Sequence, residues 1–181
     1  EKPRPEEAFS NVINAGLYIL EPEVMALVPE GEKYDFSKNL FPRLLEMGWP
    51  MYAKAIDGVW FDVGSPTELI RAQQVLIEQR NTLPFPMPDG SVDGNGSFVS
   101  NAAHIGSNVE LHKSVIATGC SVGDRSTLLE TVLMEGASVG SNVSLSGCIL
   151  SPGAIVEDNV SAVDLVLGDG ECLNADDNRL S

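Results

Sequence analysis

The chain of 181 residues carries 26 Asp and Glu against 11 Lys and Arg, a formal net charge of −15 at neutral pH. Such a surface repels phosphate backbones, which argues against nucleic acid as a partner but not against a small anion held by a few local bases. No apolar run reaches the length of a membrane span and no charged-then-apolar leader opens the sequence, so the expectation is a soluble, cytoplasmic chain with no membrane partner.

The length leaves room for one or two domains. Ser10 to Leu20 is rich in branched and aromatic residues and stops at Glu21-Pro22, which predicts a strand. Pro22 to Val28 predicts a short helix with proline in its first turn. Asn39 is placed to cap a second helix through Met47, with Gly48 as its stop and Pro42 tolerable only in the first turn. Met51 to Ile56 and Val59 to Val63 predict strands about a turn at Asp57-Gly58. Ser65-Pro66-Thr67-Glu68 is a capping box that launches a helix over 66–79, with Leu69, Ala72, Val75 and Leu76 on one face. Asn81 to Ser97 is rich in Pro and Gly and reads as a connector, and Asp89-Gly90 through Gly94-Asn95-Gly96 belongs to it. Val92 and Phe98-Val99 fall in the register of the repeat that begins at Ile105, so an imperfect first coil begins inside the connector.

From Ile105 to Cys172 one seventeen-residue phrase is repeated four times: IGSNVELHKSVIATGCS, VGDRSTLLETVLMEGAS, VGSNVSLSGCILSPGAI, VEDNVSAVDLVLGDGEC. Each copy opens on an aliphatic (Ile105, Val122, Val139, Val156). Further inward sets come at Leu111, Leu128, Leu145 and Ala162, then at Ile116, Leu133, Leu150 and Leu167. The internal spacing of six, five and six is too short for helices and suits three short strands per turn of a solenoid. Asn108, Asn142 and Asn159, and Gly119, Gly136, Gly153 and Gly170, mark corners, because Asn and Gly tolerate positive φ cheaply. Hexapeptide-type repeats of this kind signal a parallel β-helix, and arrays that look like this one are left-handed with three flat faces. Leu173 to Ser181 either starts a fifth turn or caps the stack. Cys120, Cys148 and Cys172 lie inside the repeat without metal-ligand spacing, as small coil residues of a reducing compartment.

Three stretches of the first half carry candidate chemistry: Glu1-Lys2-Pro3, Asn14-Ala15-Gly16 and Trp60-Phe61-Asp62-Val63-Gly64. In this order, with YDFSKNLFPRLLEMG from Tyr34 to Gly48 between them, the layout resembles the sugar-phosphate nucleotidyltransferases, or nucleotide-sugar pyrophosphorylases. Many members of that family carry a C-terminal left-handed β-helix, so the resemblance spans nearly the whole chain. It looks closest to the mannose-1-phosphate guanylyltransferases, with thymidylyl- and uridylyltransferases acting on glucose phosphate close behind.

The resemblance implies a mixed fold. Residues 1–80 would be the α/β C-terminal part of a catalytic domain, on the sugar-phosphate side. Residues 81–97 would be linker and imperfect first coil, and 98–181 a left-handed parallel β-helix. Glu1 would accept hydrogen bonds from sugar hydroxyls, Lys2 would place a positive charge on the sugar phosphate, and Asn14, Ala15 and Gly16 would hold the sugar. Lys2 and Asp62 would be the catalytic residues, with Asp62 one oxygen ligand of a Mg²⁺ cofactor. The partners implied are a sugar 1-phosphate and a nucleoside triphosphate, in a homo-oligomer.

The family's Gly-x-Gly-Thr-Arg phosphate loop has no counterpart in this sequence, and the first residue is Glu1. The expectation is therefore the C-terminal part of a larger enzyme, inactive alone. Two alternatives stand beside it. One is a hexapeptide-repeat acyltransferase, for which His104 and His112 are the available histidines. The other is a non-catalytic regulatory subunit of the same family.

Overall fold

A computed structural model describes residues 12–177. The chain divides between Trp60 and Phe61 into two compact units.

The first unit is small and mostly irregular. A helix, α1, spans Pro22–Met25 and has proline in its first turn, ending three residues before the predicted Val28. The second predicted helix is two pieces, a π-helical turn over Phe36–Leu40 and a helix, α2, over Phe41–Glu46. The cap is Asp35, not Asn39: the Asp35 carboxylate accepts from the Lys38 N–H at 2.9 Å, while the Asn39 amide oxygen accepts from the Asp35 N–H at 2.9 Å. Pro42 has no N–H to continue the ordinary pattern, so the chain enters α2 through a wider turn. Gly48 stops the helix at φ 68°, as expected. Val24, Leu40 and Leu44 form the buried centre, with Leu20, Leu27, Tyr34, Phe36 and Trp49 packed around it.

The strands predicted over Ser10–Leu20, Met51–Ile56 and Val59–Val63 do not form among the described residues, and Ser10 lies outside them. Branched and aromatic content makes a segment fit a sheet, but a strand exists only when a second strand accepts its backbone. The described part of this unit supplies none, and Val12, Ile13, Leu17 and Ile19 stay exposed.

The second unit opens with helix α3, Pro66–Glu78, one residue shorter than predicted and capped as expected by Ser65, whose hydroxyl accepts from the Glu68 N–H at 3.2 Å. Its buried residues are Ala72 and Ile77, the latter absent from the predicted face. The Gln74 amide donates to the Lys113 carbonyl and ties α3 to the solenoid.

The seventeen-residue phrase folds as predicted into a parallel β-solenoid with three sheets. Equivalent residues stack one coil apart: Val115, Val132, Ile149 and Val166 in one sheet, Leu111, Leu128, Leu145 and Ala162 in another, Ile105, Val122, Val139, Val156 and Leu173 in the third. Backbone bonds run from coil to coil, such as Ser121 N–H to Ala137 O at 3.1 Å and Ser138 N–H to Ala154 O at 2.9 Å. The inward residues Val122, Leu128, Leu133, Val139, Leu145 and Leu150 are all buried, each contributing roughly 1.5–3 kcal/mol. Ile105, the first opener, is exposed, since it sits in the first strand of its sheet and has a neighbour on one side only. At the other end, Cys172–Leu173 pairs with Ile155–Val156 and begins a fifth turn.

Three rows of left-handed residues turn the chain, one at each corner. The Gly119 row and the Asn108 row were legible in the sequence, although Arg125 (φ 59°) takes the Asn place in the second coil. The third row, Lys113, Glu130, Gly147 and Asp164, carries a weaker sequence signal, because Lys113 and Glu130 have side chains that seldom adopt positive φ. Where Gly106 and Gly140 stand, a Cβ would lie 2.6 and 2.3 Å from the carboxylates of Asp124 and Asp158. Those carboxylates accept from the Ser107 and Ser141 N–H groups at 2.7 Å. Hydroxyls do similar work inside, with Ser114 Oγ accepting from Thr131 N–H and Ser126 Oγ from Val143 N–H, each at 3.1 Å.

The Gly-rich part of the connector is a hairpin turn. Gly90–Val92 pairs antiparallel with Phe98–Ser100, so Val92 faces Phe98 and is not a coil position. Asp93 organises the turn by accepting from the N–H groups of Asn95 (2.8 Å) and Ser97 (2.9 Å).

Candidate functional site

Of the predicted site residues, Glu1 and Lys2 lie outside the described residues. Asn14, Ala15 and Gly16 form a tight turn in the first unit. Asn14 Oδ1 accepts from the Gly16 N–H at 2.9 Å, and Gly16 takes φ 74°, which glycine adopts without strain. Asn14 Nδ2 donates to the Tyr18 hydroxyl at 2.6 Å. Tyr18 in turn meets Phe41 edge-on at 5.1 Å and Phe36 at 5.8 Å. The Ala15 carbonyl accepts from the Trp60 indole N–H at 3.2 Å.

Sequence reasoning named Asn14 as a sugar contact. The structure commits both ends of its amide within the chain. Tyr18, the partner of Asn14, was not singled out in the sequence. Its position four residues after Asn14 was visible, but nothing in the sequence said that an extended segment would fold back on itself. Trp60 entered only as part of a motif, and its partner Ala15 had no sequence signal at all.

Asp62 belongs to the second unit and is exposed. Its carbonyl accepts from the Gly64 N–H at 2.9 Å, closing a three-residue turn just ahead of the Ser65 cap. Beside it the Arg71 guanidinium lies 5.8 Å from the centre of the Phe61 ring and 3.7 Å from Glu68 Oε1. Among the described residues no three His, Cys, Asp or Glu side chains converge as a metal cluster. Asp62 is the exposed carboxylate at this turn, and magnesium is a cation commonly held by one or two carboxylates with substrate phosphate.

The solenoid carries a shallow groove of about 540 Å³ whose lining includes Ser121, Ser138, Ile155, Glu157 and Asp158. None of the predicted site residues lines it, and no histidine is among its lining residues, although His104 pairs with Ser121 one coil away. His112 is exposed beside the inward Leu111, as the alternation requires, and His104 is exposed as well.

Residues 1–79 match the family model described as nucleotidyl transferase, and residues 89–165 match the GlmU-like, C-terminal hexapeptide model. The chain joins a nucleotidyl transferase segment to a hexapeptide solenoid. Its curated relatives are sugar-phosphate nucleotidyltransferases. A UTP–glucose-1-phosphate uridylyltransferase of Synechocystis is 41% identical over 87 residues, 48% of this chain and 22% of that protein. A glucose-1-phosphate adenylyltransferase of Clostridioides difficile is 33% identical over 121 residues, 63% of this chain and 31% of that protein. A mannose-1-phosphate guanyltransferase of Saccharomyces cerevisiae is 35% identical over 99 residues, 55% of this chain and 26% of that protein. The chain therefore spans less than a third of the length of these relatives. Among solved structures, a perosamine N-acetyltransferase mutant from Caulobacter crescentus aligns over 74% of this chain and 67% of that one, at 20% identity and a TM-score of 0.37, which is too slight to bear on function.

Proposed function

We propose that this chain supplies the sugar-phosphate side of an enzyme that transfers a nucleotidyl group from a nucleoside triphosphate to a sugar 1-phosphate. The observation that carries the reading is the bond from Trp60 to Ala15. It ties the residue that opens one family-like stretch to the centre of another, 45 residues earlier.

In the reaction proposed, an oxygen of the sugar 1-phosphate attacks the α-phosphorus of the triphosphate. The bond between the α-phosphorus and its bridging oxygen breaks, and pyrophosphate leaves. Glu1 accepts from sugar hydroxyls and Lys2 holds the sugar phosphate. The Asn14-Ala15-Gly16 turn brings backbone close to the sugar, which a side chain at Gly16 would prevent. Asp62 would hold Mg²⁺, and the ion when bound would supply neutralisation of charge on the phosphates. Most of the rate gain expected of such a site comes from alignment and charge neutralisation.

Relatives named for glucose 1-phosphate are 41% and 33% identical to this chain over the matched residues, and one named for mannose 1-phosphate is 35% identical. Mannose 1-phosphate with GTP is our first choice of substrates, and glucose 1-phosphate with dTTP or UTP the second. The test incubates the 181-residue chain with Mg²⁺, each nucleoside triphosphate and each sugar phosphate, following sugar-phosphate binding and pyrophosphate release separately. Binding without turnover is the expected result, because this sequence has no Gly-x-Gly-Thr-Arg loop to position a triphosphate. Absence of binding to every sugar phosphate removes the reading and favours a regulatory role.

A further inference from the structure

We infer that Tyr18 is a positioning residue for the sugar-holding turn, acting through Asn14; this rests on the sugar-phosphate reading above. Asn14 has one carbonyl and one amino end, and each has a partner within the chain. Its Oδ1 accepts from the Gly16 N–H at 2.9 Å and its Nδ2 donates to the Tyr18 hydroxyl at 2.6 Å. The two bonds act in series. An amide that rotates to give up Tyr18 also turns its oxygen away from Gly16, so the hydroxyl of Tyr18 decides whether the turn is fixed.

Tyr18 can serve as an anchor because its ring is itself held. Phe41 meets it edge-on at 5.1 Å with planes at 71°, Phe36 tilts against it at 5.8 Å, and the two phenylalanines lie 6.1 Å apart. Both sit against the small core of Val24, Leu40 and Leu44. The chain of support runs from that core through the aromatic rings to a phenol oxygen, then through Asn14 to the Gly16 backbone. Asn14 is thereby changed from a direct sugar ligand to the brace of the turn. The groups left to face a sugar are the second Nδ2 hydrogen of Asn14 and the backbone of the turn. Recognition of hydroxyls by fixed donors depends on their being held in place before the ligand arrives.

The substitution Tyr18→Phe keeps the ring and removes only the hydroxyl. Amide hydrogen exchange by NMR on the chain itself should show faster exchange of the Gly16 N–H and the Asn14 side-chain amide in Tyr18→Phe, with the α2 amides unchanged. Equal exchange in the two proteins overturns the inference, whatever the chain binds. Titration with mannose 1-phosphate and glucose 1-phosphate supplies the functional arm. The dissociation constant should rise about tenfold in Tyr18→Phe at unchanged melting temperature, and the double variant Tyr18→Phe/Asn14→Ala should bind no more weakly than Asn14→Ala alone. Additive losses overturn the inference, because Tyr18 would then contact the ligand independently. If wild type binds neither sugar phosphate while exchange at Gly16 still depends on Tyr18, the brace stands and the substrate reading fails.

Discussion

The indole N–H of Trp60 donates to the Ala15 carbonyl at 3.2 Å, joining residues 45 positions apart. A carbonyl in a tight turn that loses its donor is free to reorient, so this bond bears on shape more than on stability. Trp60→Phe should cost about 0.5–1.5 kcal/mol. It should also weaken sugar-phosphate binding by more than that cost predicts from unfolding alone. Parallel denaturation and titration of the variant check both statements. Wild-type binding in Trp60→Phe would mean that the turn holds itself.

Asp62 sits exposed in a short turn ahead of α3. In a protein that turns over, Asp62→Asn should depress kcat and shift its Mg²⁺ dependence, since the amide keeps the shape and loses the charge. The fold should be unchanged, because no packing depends on the carboxylate. Steady-state rates across a magnesium series decide the matter, and an unaltered series removes Asp62 from the site.

Leu133 is fully buried in the solenoid, stacked between Ile116 and Leu150. Leu133→Ala should cost about 2–5 kcal/mol through the cavity it leaves. Leu133→Asp should cost more, because a carboxylate would be stranded without a partner. Thermal melts of the two variants test the ordering.

Two corner positions should respond in opposite directions. Glu130 holds φ 47° and offers only a distant, exposed contact to Lys113 at 3.9 Å. Glu130→Gly removes a left-handed strain of about 1–2 kcal/mol and loses little from the ion pair. It should stabilise the chain by up to about 1 kcal/mol after the entropy of the freer glycine is subtracted. Gly123→Ala should destabilise by about 2 kcal/mol or more, since its Cβ would lie 2.6–2.7 Å from the backbone of Gly140 and Ser141. Chemical denaturation of each variant beside wild type gives both signs.

Burial raises the thiols of Cys120 and Cys148 above their ordinary value of 9.0, more than their backbone hydrogen bonds lower them. A raised acid favours the folded state only while the unfolded thiol is also protonated. That contribution is complete below about pH 9 and is lost as the pH climbs past it. Stability should therefore fall on the alkaline side, and a Cys120→Ala/Cys148→Ala double variant should lose part of that slope. Exposed Cys172 should react first with an alkylating reagent, and the buried pair only on unfolding.

The solenoid was readable because its rule is local and repeated. Val122, Val139 and Val156 each announce the same environment, and one coil's error is corrected by the next. Arg125, Lys113 and Glu130 were unreadable as corners for the complementary reason. A left-handed backbone imposed by coils above and below overrides the preference of a single side chain. The first half failed differently. Leu17 and Ile19 look like strand residues, yet pairing is a property of two segments, and a pattern can specify only one of them. At the candidate site the motif residues were visible as letters. Their links, Asn14 to Tyr18 and Trp60 to Ala15, are facts of three-dimensional proximity.

The antiparallel strand Gly90–Val92 finishes one edge of the stack, while every later coil is added in parallel at a spacing of seventeen residues. The solenoid is thus a ruler with a fixed zero. Each extra seventeen-residue unit inserted between existing coils should lift everything above it by about 4.8 Å without disturbing the coils below. The height of the stack is set by counting coils, and evolution or an engineer can change it in whole steps.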